Sequence, residues 1–210
     1  MPLQNRVDPF GAIQAVSAKG ALMGNRGILH DASKTVIRKH AHQNWVTCAL
    51  SFNGRKRTLM DDGRYTELFF LDEATAIAAG HRPCAECRRD RYKSFADVWR
   101  QIHGQPSEGR ALPNEIDRTL HSARISRGGV QITFEADAAD LPDGVMFAKE
   151  GKAILVWERR HFDWSFDGYR PRDQKTTGLV TVLTPRPTVE VIRAGFGPLV
   201  HDTASEGVIR

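Results

Sequence analysis

Residues 80–87 read Gly-His-Arg-Pro-Cys-Ala-Glu-Cys, which places two of the three cysteines of this chain at C-x-x-C spacing. Two thiolates at this spacing can bind one zinc ion from adjacent turns of backbone. A closed structural zinc site needs four nitrogen or sulfur ligands. The stretch therefore predicts half of a zinc site, and the remaining ligands must come from elsewhere in the chain.

The residues on both sides of the cysteine pair have the patterns of helices. Asp72 is suited to cap an Ala-rich helix that ends at Gly80, because glycine readily adopts the left-handed conformation that follows a helix. Pro83 prevents this helix from continuing. After Cys87, apolar residues recur at helical spacing to about His103, so a second, amphipathic helix is predicted to begin at the cysteine pair.

Upstream of the cysteine pair, the sequence has the pattern of strands. Trp45 to Phe52 alternates apolar and polar residues, and Cys48 belongs to the apolar face. Asn53-Gly54 favours a type I′ turn, which predicts a hairpin that folds this strand back onto residues 55–60. A further strand is predicted over Thr66 to Leu71.

A linker of small and polar residues over 104–110 divides the chain. We predict two domains, over residues 21–104 and 112–203. The second domain is predicted to be β-rich, with a hairpin turn at Glu150-Gly151 and one short helix over Thr188 to Ala194. Its predicted strands cover residues 130–135, 145–148, 153–157 and 179–183. The predicted fold class is therefore α+β.

The chain lacks the patterns of membrane and secreted proteins. No window approaches eighteen uninterrupted apolar residues, and the opening residues have no apolar core of a signal peptide. Three cysteines are also an odd number for a disulfide framework. We therefore expect a cytoplasmic protein that has no membrane partner.

The stretch from Phe69 to Cys87 resembles the zinc-binding domain of the Ada family of methylphosphotriester DNA repair proteins. In that family an aromatic strand end, an Ala-rich helix and a Gly-aromatic-Arg-Pro-Cys-x-x-Cys sequence follow in the same order. Upstream, Gly27-Ile28-Leu29-His30 stands where the family has the strand end that bears its methyl-accepting cysteine. The resemblance concerns the N-terminal half and implies a small, zinc-stabilised, Ada-like domain.

The resemblance also implies a set of metal ligands. It assigns His30, Cys84 and Cys87, whereas the second cysteine of the family has no counterpart in residues 31–34. Cys48 is the remaining cysteine, but a lone cysteine on an apolar strand face is often a small buried hydrophobe, so His42 or His40 stays open as the fourth ligand. The predicted cofactor is zinc, bound by His30, Cys48, Cys84 and Cys87. Because histidine cannot accept a methyl group as a zinc-activated thiolate does, we expect no methyl-acceptor activity.

Basic residues flank the cysteine region in a chain whose net charge is +5. Lys and Arg side chains clustered on one face are typical of phosphate contacts. We therefore predict a zinc-binding protein that interacts with DNA or RNA and is linked to DNA repair or regulation. The predicted nucleic-acid contacts are Arg55, Lys56, Arg57, Arg88, Arg89 and Arg91.

Two other functions stay open. Pro83 to Cys87 also fits the P-C-x-x-C signature of zinc deaminases, which need a His-x-Glu or Cys-x-Glu pair upstream. The sequence offers His40-Ala41-His42, which lacks the glutamate, so the sequence favours a protein that is not an enzyme. A zinc-dependent hydrolase or deaminase acting on a nucleotide-like substrate, and a purely structural protein-interaction module, are the alternatives.

Residues 161–169 concentrate aromatic side chains with a histidine and two carboxylates. Such a segment is suited to line a pocket, with Trp164 and Tyr169 as stacking groups. His161 and Asp163 are the acid/base pair that an enzyme would use here. The alternative is a packed loop.

Overall fold

The structure is a computed structural model that describes residues 1–54 and 58–205. Within these residues, two six-stranded sheets are accompanied by helices, so the predicted α+β class is confirmed. The predicted contacts Arg55, Lys56 and Arg57, and with them half of the strand predicted over 55–60, lie outside the described residues. Among the helices of the described part, none has the length and apolar character that crossing a membrane requires.

The first sheet contains every described strand up to residue 83, and its order is β2-β1-β5-β3-β4-β6. The β1–β5 and β4–β6 pairs are parallel, and the other pairs are antiparallel. A short helix, α1 (Glu73–Ala78), connects β5 to β6. The strands are β1 (Arg6–Val7), β2 (Ile13–Gln14), β3 (Leu22–Asn25), β4 (Val46–Cys48), β5 (Leu68–Phe70) and β6 (Arg82–Pro83).

Two longer helices, α2 (Arg89–His103) and α3 (Leu112–Arg124), follow the first sheet and precede the second. The second sheet has the order β11-β10-β9-β8-β12-β7 and is antiparallel throughout. The helix α4 (Arg186–Arg193) comes after its last strand. The strands are β7 (Phe134–Asp137), β8 (Met146–Lys149), β9 (Lys152–Trp157), β10 (Arg160–Ser165), β11 (Gly168–Pro171) and β12 (Leu179–Val182).

Both ends of α1 have the residues and backbone conformations predicted from the sequence. Asp72 is the extended N-cap residue, and its carboxylate accepts a hydrogen bond of 2.8 Å from the Thr75 amide. Gly80 has φ +84°, and a Cβ on it would lie 2.5 Å from Cδ of Arg124. Glycine is therefore required at this position both for its conformation and for its packing against α3.

The two predicted hairpin turns have different outcomes. Glu150 and Gly151 have φ of 52° and 75° and connect β8 to β9 through the pair Lys149↔Lys152, as predicted. Asn53 and Gly54 are also left-handed, with φ of 52° and 66°. However, residues 58–60 form no strand, and β4 pairs with β3 and β6 instead of a hairpin partner.

The sequence prediction missed α3. The prediction of a single short helix in the second half is therefore wrong, because α3 spans 13 residues in addition to α4. α3 begins without a side-chain cap, which weakens its start signal, although Pro113 in its first turn is typical of a helix start. Its signal is the spacing of Leu112, Ile116 and Leu120, which are all buried.

The largest core cluster contains residues from both sides of the 104–110 segment. Phe95 and Trp99 of α2 pack in it together with Ile116 of α3 and Phe147 of β8. Hydrophobic burial is the main favourable contribution to folding, so the two halves share a stabilising core. The division into domains at 21–104 and 112–203 stays a prediction.

Candidate metal centre

The sulfur atoms of Cys48, Cys84 and Cys87 lie within 4.8 Å of one another. The parallel pairing of β4 with β6 explains why Cys48 joins the C-x-x-C pair. Val46 is paired with Arg82 and Thr47 with Pro83, so the next residues in register are Cys48 and Cys84. The Cys84 amide donates a hydrogen bond of 2.9 Å to the Thr47 carbonyl, which fixes this register.

The C-x-x-C segment forms the turn between β6 and α2. The Glu86 amide donates to Sγ of Cys84 at 3.5 Å, and the Arg88 amide donates to the Cys84 carbonyl at 3.2 Å. Hydrogen bonds from Cys48 and from backbone amides lower the pKa of Cys84 to about 5. The same contact with Cys84 raises the pKa of Cys48, whereas burial raises that of Cys87. The cluster therefore concentrates thiolate character on Cys84, and thiolates are the metal-binding form of cysteine.

The turn is anchored by a buried carboxylate of α1. Glu73, which is fully buried, forms ion pairs with Arg88 at 2.8 Å and with Arg91 at 2.5 Å. Arg88 also donates to the hydroxyl of Thr47 at 2.8 Å. These contacts hold the beginning of α2 against the strands that carry the cysteines.

The same contacts bear on the predicted nucleic-acid surface. Arg88 and Arg91, two of the predicted phosphate contacts, form ion pairs with Glu73; the Arg88 side chain is buried, and that of Arg91 is partly exposed. Arg89 is exposed. Binding of DNA or RNA stays a prediction.

A cavity of about 380 Å³ opens beside the three cysteines, all of which line it. Glu67 of the segment before β5 lines the same cavity and is 2% exposed. Its Oε2 accepts a hydrogen bond of 2.8 Å from the Met60 amide. Its Oε1 is buried and has no hydrogen-bond partner in the part of the chain that the structure describes. Among the described residues, Glu67 therefore brings a carboxylate with one unsatisfied oxygen to the wall of the cavity, and such an oxygen is costly to bury.

The structure places His30 in a different environment from the cysteines. His30 is 5% exposed, its Nδ1 lies 2.6 Å from the hydroxyl of Thr66, and its Nε2 lies 3.2 Å from the carbonyl of Asp61. Both ring nitrogens therefore have partners within the protein. The structure brings together three of the four predicted ligands, and His30 is not in their group.

The alternative histidine ligands are also absent from the cluster. Nε2 of His42 lies 3.1 Å from Oδ1 of Asn25. His40 packs against the rings of Trp45 and His121. Within the described residues, the candidate metal group consists of the three cysteines.

The aromatic segment of the second half forms a hairpin that packs onto α1. The hydroxyl of Tyr169 donates to Asp72 at 2.8 Å, and the indole of Trp164 donates to Thr75 at 3.0 Å. Asp163 pairs with Arg172 at 2.5 Å. His161 instead accepts a hydrogen bond of 3.0 Å from the Thr176 amide, so the suggested acid/base pair has separate partners.

Glu67 is the residue of this site that sequence reasoning missed. Its signal in the sequence is a carboxylate directly before the apolar run Leu68 to Leu71 of the strand predicted over 66–71. Such a residue is expected on the solvent face of an edge strand, whereas here it is buried beside the cysteines. Comparisons of this chain with protein-family models, with curated proteins and with solved structures found no match.

Proposed function

We propose that this protein binds one zinc ion through the thiolates of Cys48, Cys84 and Cys87. Zinc bonds to sulfur of about 2.3 Å in tetrahedral geometry require sulfur atoms about 3.8 Å apart. The three sulfur atoms lie within 4.8 Å of one another, so small side-chain adjustments complete the arrangement. Soft thiolate ligands favour zinc over hard cations such as Mg²⁺ or Ca²⁺.

A zinc ion held by the three thiolates would need a fourth ligand, and the cavity that these cysteines line could supply it. No fourth Cys, His, Asp or Glu joins the group among the residues that the structure describes. Three protein ligands with one free position is the pattern of a catalytic zinc, whereas structural zinc sites are closed by four. The cavity beside the cysteines gives a water molecule or a substrate access to this position.

The function that this arrangement supports best is a zinc-dependent hydrolytic reaction. Zinc acidifies a bound water molecule and so supplies a nucleophile at neutral pH. Glu67 lines the same cavity, its Oε1 is free of hydrogen bonds within the described chain, and it would be the general base that accepts a proton there. Cys₃ zinc sites with a separate proton-transferring glutamate occur in deaminases, which makes a nucleobase-like substrate one specific form of the proposal. The observation that carries the proposal is this convergence of three thiols and one buried carboxylate on one cavity.

Cobalt substitution tests the free position directly. Co²⁺ replaces zinc in such sites, and its visible spectrum reports the ligand number and the thiolate bonds. We expect thiolate-to-metal bands in the wild-type protein and a change of the spectrum when azide is added. Cys84→Ser should weaken the bands, whereas His30→Ala should retain them. A spectrum that azide leaves unchanged would exclude a free position and favour a structural site.

Nucleic-acid binding is the second candidate, and it is favoured by the exposure of Arg89 at the beginning of α2, two residues after Cys87. In this candidate the zinc ion serves to hold the basic turn. Affinity for generic single-stranded and duplex DNA at two salt concentrations tests it, because phosphate contacts weaken steeply with added salt. Arg89→Ala should reduce both the affinity and its salt dependence. Absence of binding at low salt would eliminate this candidate.

A further inference from the structure

A second cavity, of about 390 Å³, lies on the opposite face of the first sheet from the metal centre. Asn25 and Val46 line the cavity beside the cysteines, whereas their chain neighbours Arg26 and Trp45 line the second one. Neighbouring residues of a strand point to opposite faces of the sheet. None of the three cysteines borders the second cavity, so it is a separate site.

Positive charge dominates the lining of this second cavity. Its four charged lining residues are Arg26, Arg38, Lys39 and Arg124. Asp and Glu are absent from the described residues that line it. A cavity with cations on its wall and no carboxylates favours an anionic occupant.

Two of these cations are buried, and both have an unused hydrogen-bond donor. Arg26 is 1% exposed and donates from Nη1 to the Gly11 carbonyl at 2.9 Å, but its Nη2 has no acceptor within the described residues. This Nη2 lies 3.7 Å from the place of a Cβ on Gly11, which also lines the cavity. Arg124 is 3% exposed and donates to the carbonyls of Gly80 and Gln43, but its Nε finds no acceptor in the described chain.

The carboxylates nearby do not balance these charges. Asp117 forms two hydrogen bonds with Arg82, of 2.8 and 2.7 Å. Asp8 accepts from the Ala12 amide and the Gln14 side chain. Burial lowers the pKa of Arg26 to about 9, and the charge of Asp8 offsets this lowering only in part. Burial also lowers the pKa of Arg124. Because guanidinium groups stay protonated in proteins, the site holds positive charge that a bound anion would stabilise.

The two guanidinium groups lie against one aromatic ring, the indole of Trp45. Cζ of Arg26 and Cζ of Arg124 lie 4.2 and 4.0 Å from the ring centroid of Trp45. Nε of Arg26 also donates to Nε2 of His81 at 3.3 Å. Cation–π contacts of this kind offset part of the cost of burying a cation and fix its orientation. Each of the two arginines therefore keeps one nitrogen without an acceptor in the described chain, Nη2 of Arg26 and Nε of Arg124, fixed in orientation for charge-assisted hydrogen bonds to an oxyanion.

We propose that this cavity binds a small organic anion, whose carboxylate or phosphate group is bound by Arg26 and Arg124 and whose apolar part contacts Phe10, Val36 and Ile37. These three apolar residues line the cavity together with the arginines. The cavity volume falls in the range of about 300 to 1,000 Å³ that is typical of small-molecule sites. The proposal is independent of the zinc proposal.

Calorimetric titration with phenyl phosphate, benzoate and the uncharged benzyl alcohol tests the site in the full-length protein. We expect phenyl phosphate or benzoate to bind and benzyl alcohol not to bind. The tighter of the two anions identifies which oxyanion the site selects. Failure of both anions to bind, or equal binding of benzyl alcohol, would overturn the proposal. Cys84→Ser should bind the anion as the wild type does, which separates this outcome from failure of the zinc centre.

A matched pair of variants at Ile37 adds a test that leaves the buried network intact. Ile37 lines the cavity and is 56% exposed as a residue, so the fold should tolerate either charge there. Ile37→Asp should weaken anion binding by roughly tenfold through charge repulsion. Both variants lose the apolar contact of Ile37, so Ile37→Lys, whose charge attracts the anion, should bind it at least roughly tenfold more tightly than Ile37→Asp does. Equal effects of the two variants would contradict an anion site.

Arg26→Met tests the buried donor itself. A folded variant should lose anion binding, and retained binding would refute the role of Arg26. Where the variant does not fold, because the Gly11 carbonyl and His81 lose their partner, the Ile37 pair still decides the question.

Discussion

Arg82 and Asp117 form a buried ion pair with two parallel hydrogen bonds, of 2.8 and 2.7 Å, between β6 and α3. Their side chains are 5% and 7% exposed. Because β6 leads directly into Cys84, this pair links the position of the metal ligands to a helix from beyond the 104–110 segment. The cysteine cluster thus depends on contacts that are remote in sequence.

Asp117→Ala should lower the free energy of unfolding by about 3 to 5 kcal/mol, because it leaves the guanidinium of Arg82 buried without its carboxylate. Urea denaturation measures this effect. Asp97→Ala is the matched control, since Asp97 also pairs with an arginine but its side chain is 65% exposed. An exposed pair contributes less than about 1 kcal/mol. Similar losses in the two variants would show that the Arg82–Asp117 pair is not a buried determinant of stability.

Cys48→Ser and His30→Ala should differ in zinc content. Cys48 supplies one of the three clustered sulfur atoms. Mutating a residue that only orients a metal ligand weakens binding by up to roughly a hundredfold, so the loss of Cys48 itself should weaken zinc binding by more than that. His30→Ala removes a side chain that bonds to Thr66 and Asp61, so its zinc affinity should stay near that of the wild type. Metal analysis after dialysis against a chelator checks both. If His30→Ala lost zinc and Cys48→Ser did not, His30 would be a ligand, as the resemblance to the Ada family implies.

Local rules predicted much of the fold. The Asp72 cap, the left-handed Gly80, the Glu150-Gly151 hairpin and the helix after Cys87 each depend on a few neighbouring residues. The C-x-x-C spacing indicated Cys84 and Cys87 as metal ligands, whereas Cys48 was predicted as the remaining cysteine and His42 and His40 stayed open beside it. These features need no knowledge of distant contacts.

The remaining features depend on tertiary pairing. Cys48 reaches Cys84 through a parallel pairing of β4 with β6, whereas the Asn53-Gly54 turn favoured a hairpin partner for the same strand. Arg88 and Arg91 have the sequence pattern of a basic surface, but Glu73 of α1 binds them. His30, which was predicted to bind the metal, contacts the hydroxyl of Thr66 instead. In each case a contact between residues distant in sequence determines which partner the strand or side chain has, and the local sequence does not distinguish these partners.

Stability should fall below pH 6.5 because of His81. This imidazole is buried, and burial together with Arg26 and Arg124 lowers its pKa well below the ordinary value. Its neutral form donates from Nδ1 to the Ala76 carbonyl and accepts from Arg26 at Nε2. The unfolded chain takes up a proton near pH 6.5 while the folded chain does not, so the free energy of unfolding decreases by up to about 1.4 kcal/mol per pH unit as the pH falls further.

His81→Gln should reduce that pH dependence, because an amide oxygen can accept from Arg26 but does not titrate. Thermal unfolding of both proteins between pH 7 and pH 5 measures the difference. His40, His42, His121 and His161 also have lowered pKa values, so part of the dependence should remain in the variant. An unchanged slope would show that His81 titrates normally in the folded protein.

Glu67 and Glu73 are both buried carboxylates, and their contacts predict opposite effects of mutation. Glu73 binds Arg88 and Arg91 and also accepts from the Leu199 amide, so Glu73→Gln should lower the free energy of unfolding by about 3 to 5 kcal/mol. Within the described residues, Glu67 accepts from one backbone donor, the Met60 amide, and Glu67→Gln retains an oxygen for it. Because no described residue pairs with Glu67 as a cation, replacing this buried carboxylate should leave stability within about 1 kcal/mol of the wild type or raise it. Urea denaturation of the zinc-loaded proteins compares the two, and zinc content should be unchanged in Glu67→Gln because the three thiols remain.

A large loss of stability in Glu67→Gln would show that Glu67 is a structural residue. A variant that stays stable and binds zinc is the result expected for a carboxylate that transfers protons. Residues retained for chemistry commonly reduce the stability of the fold.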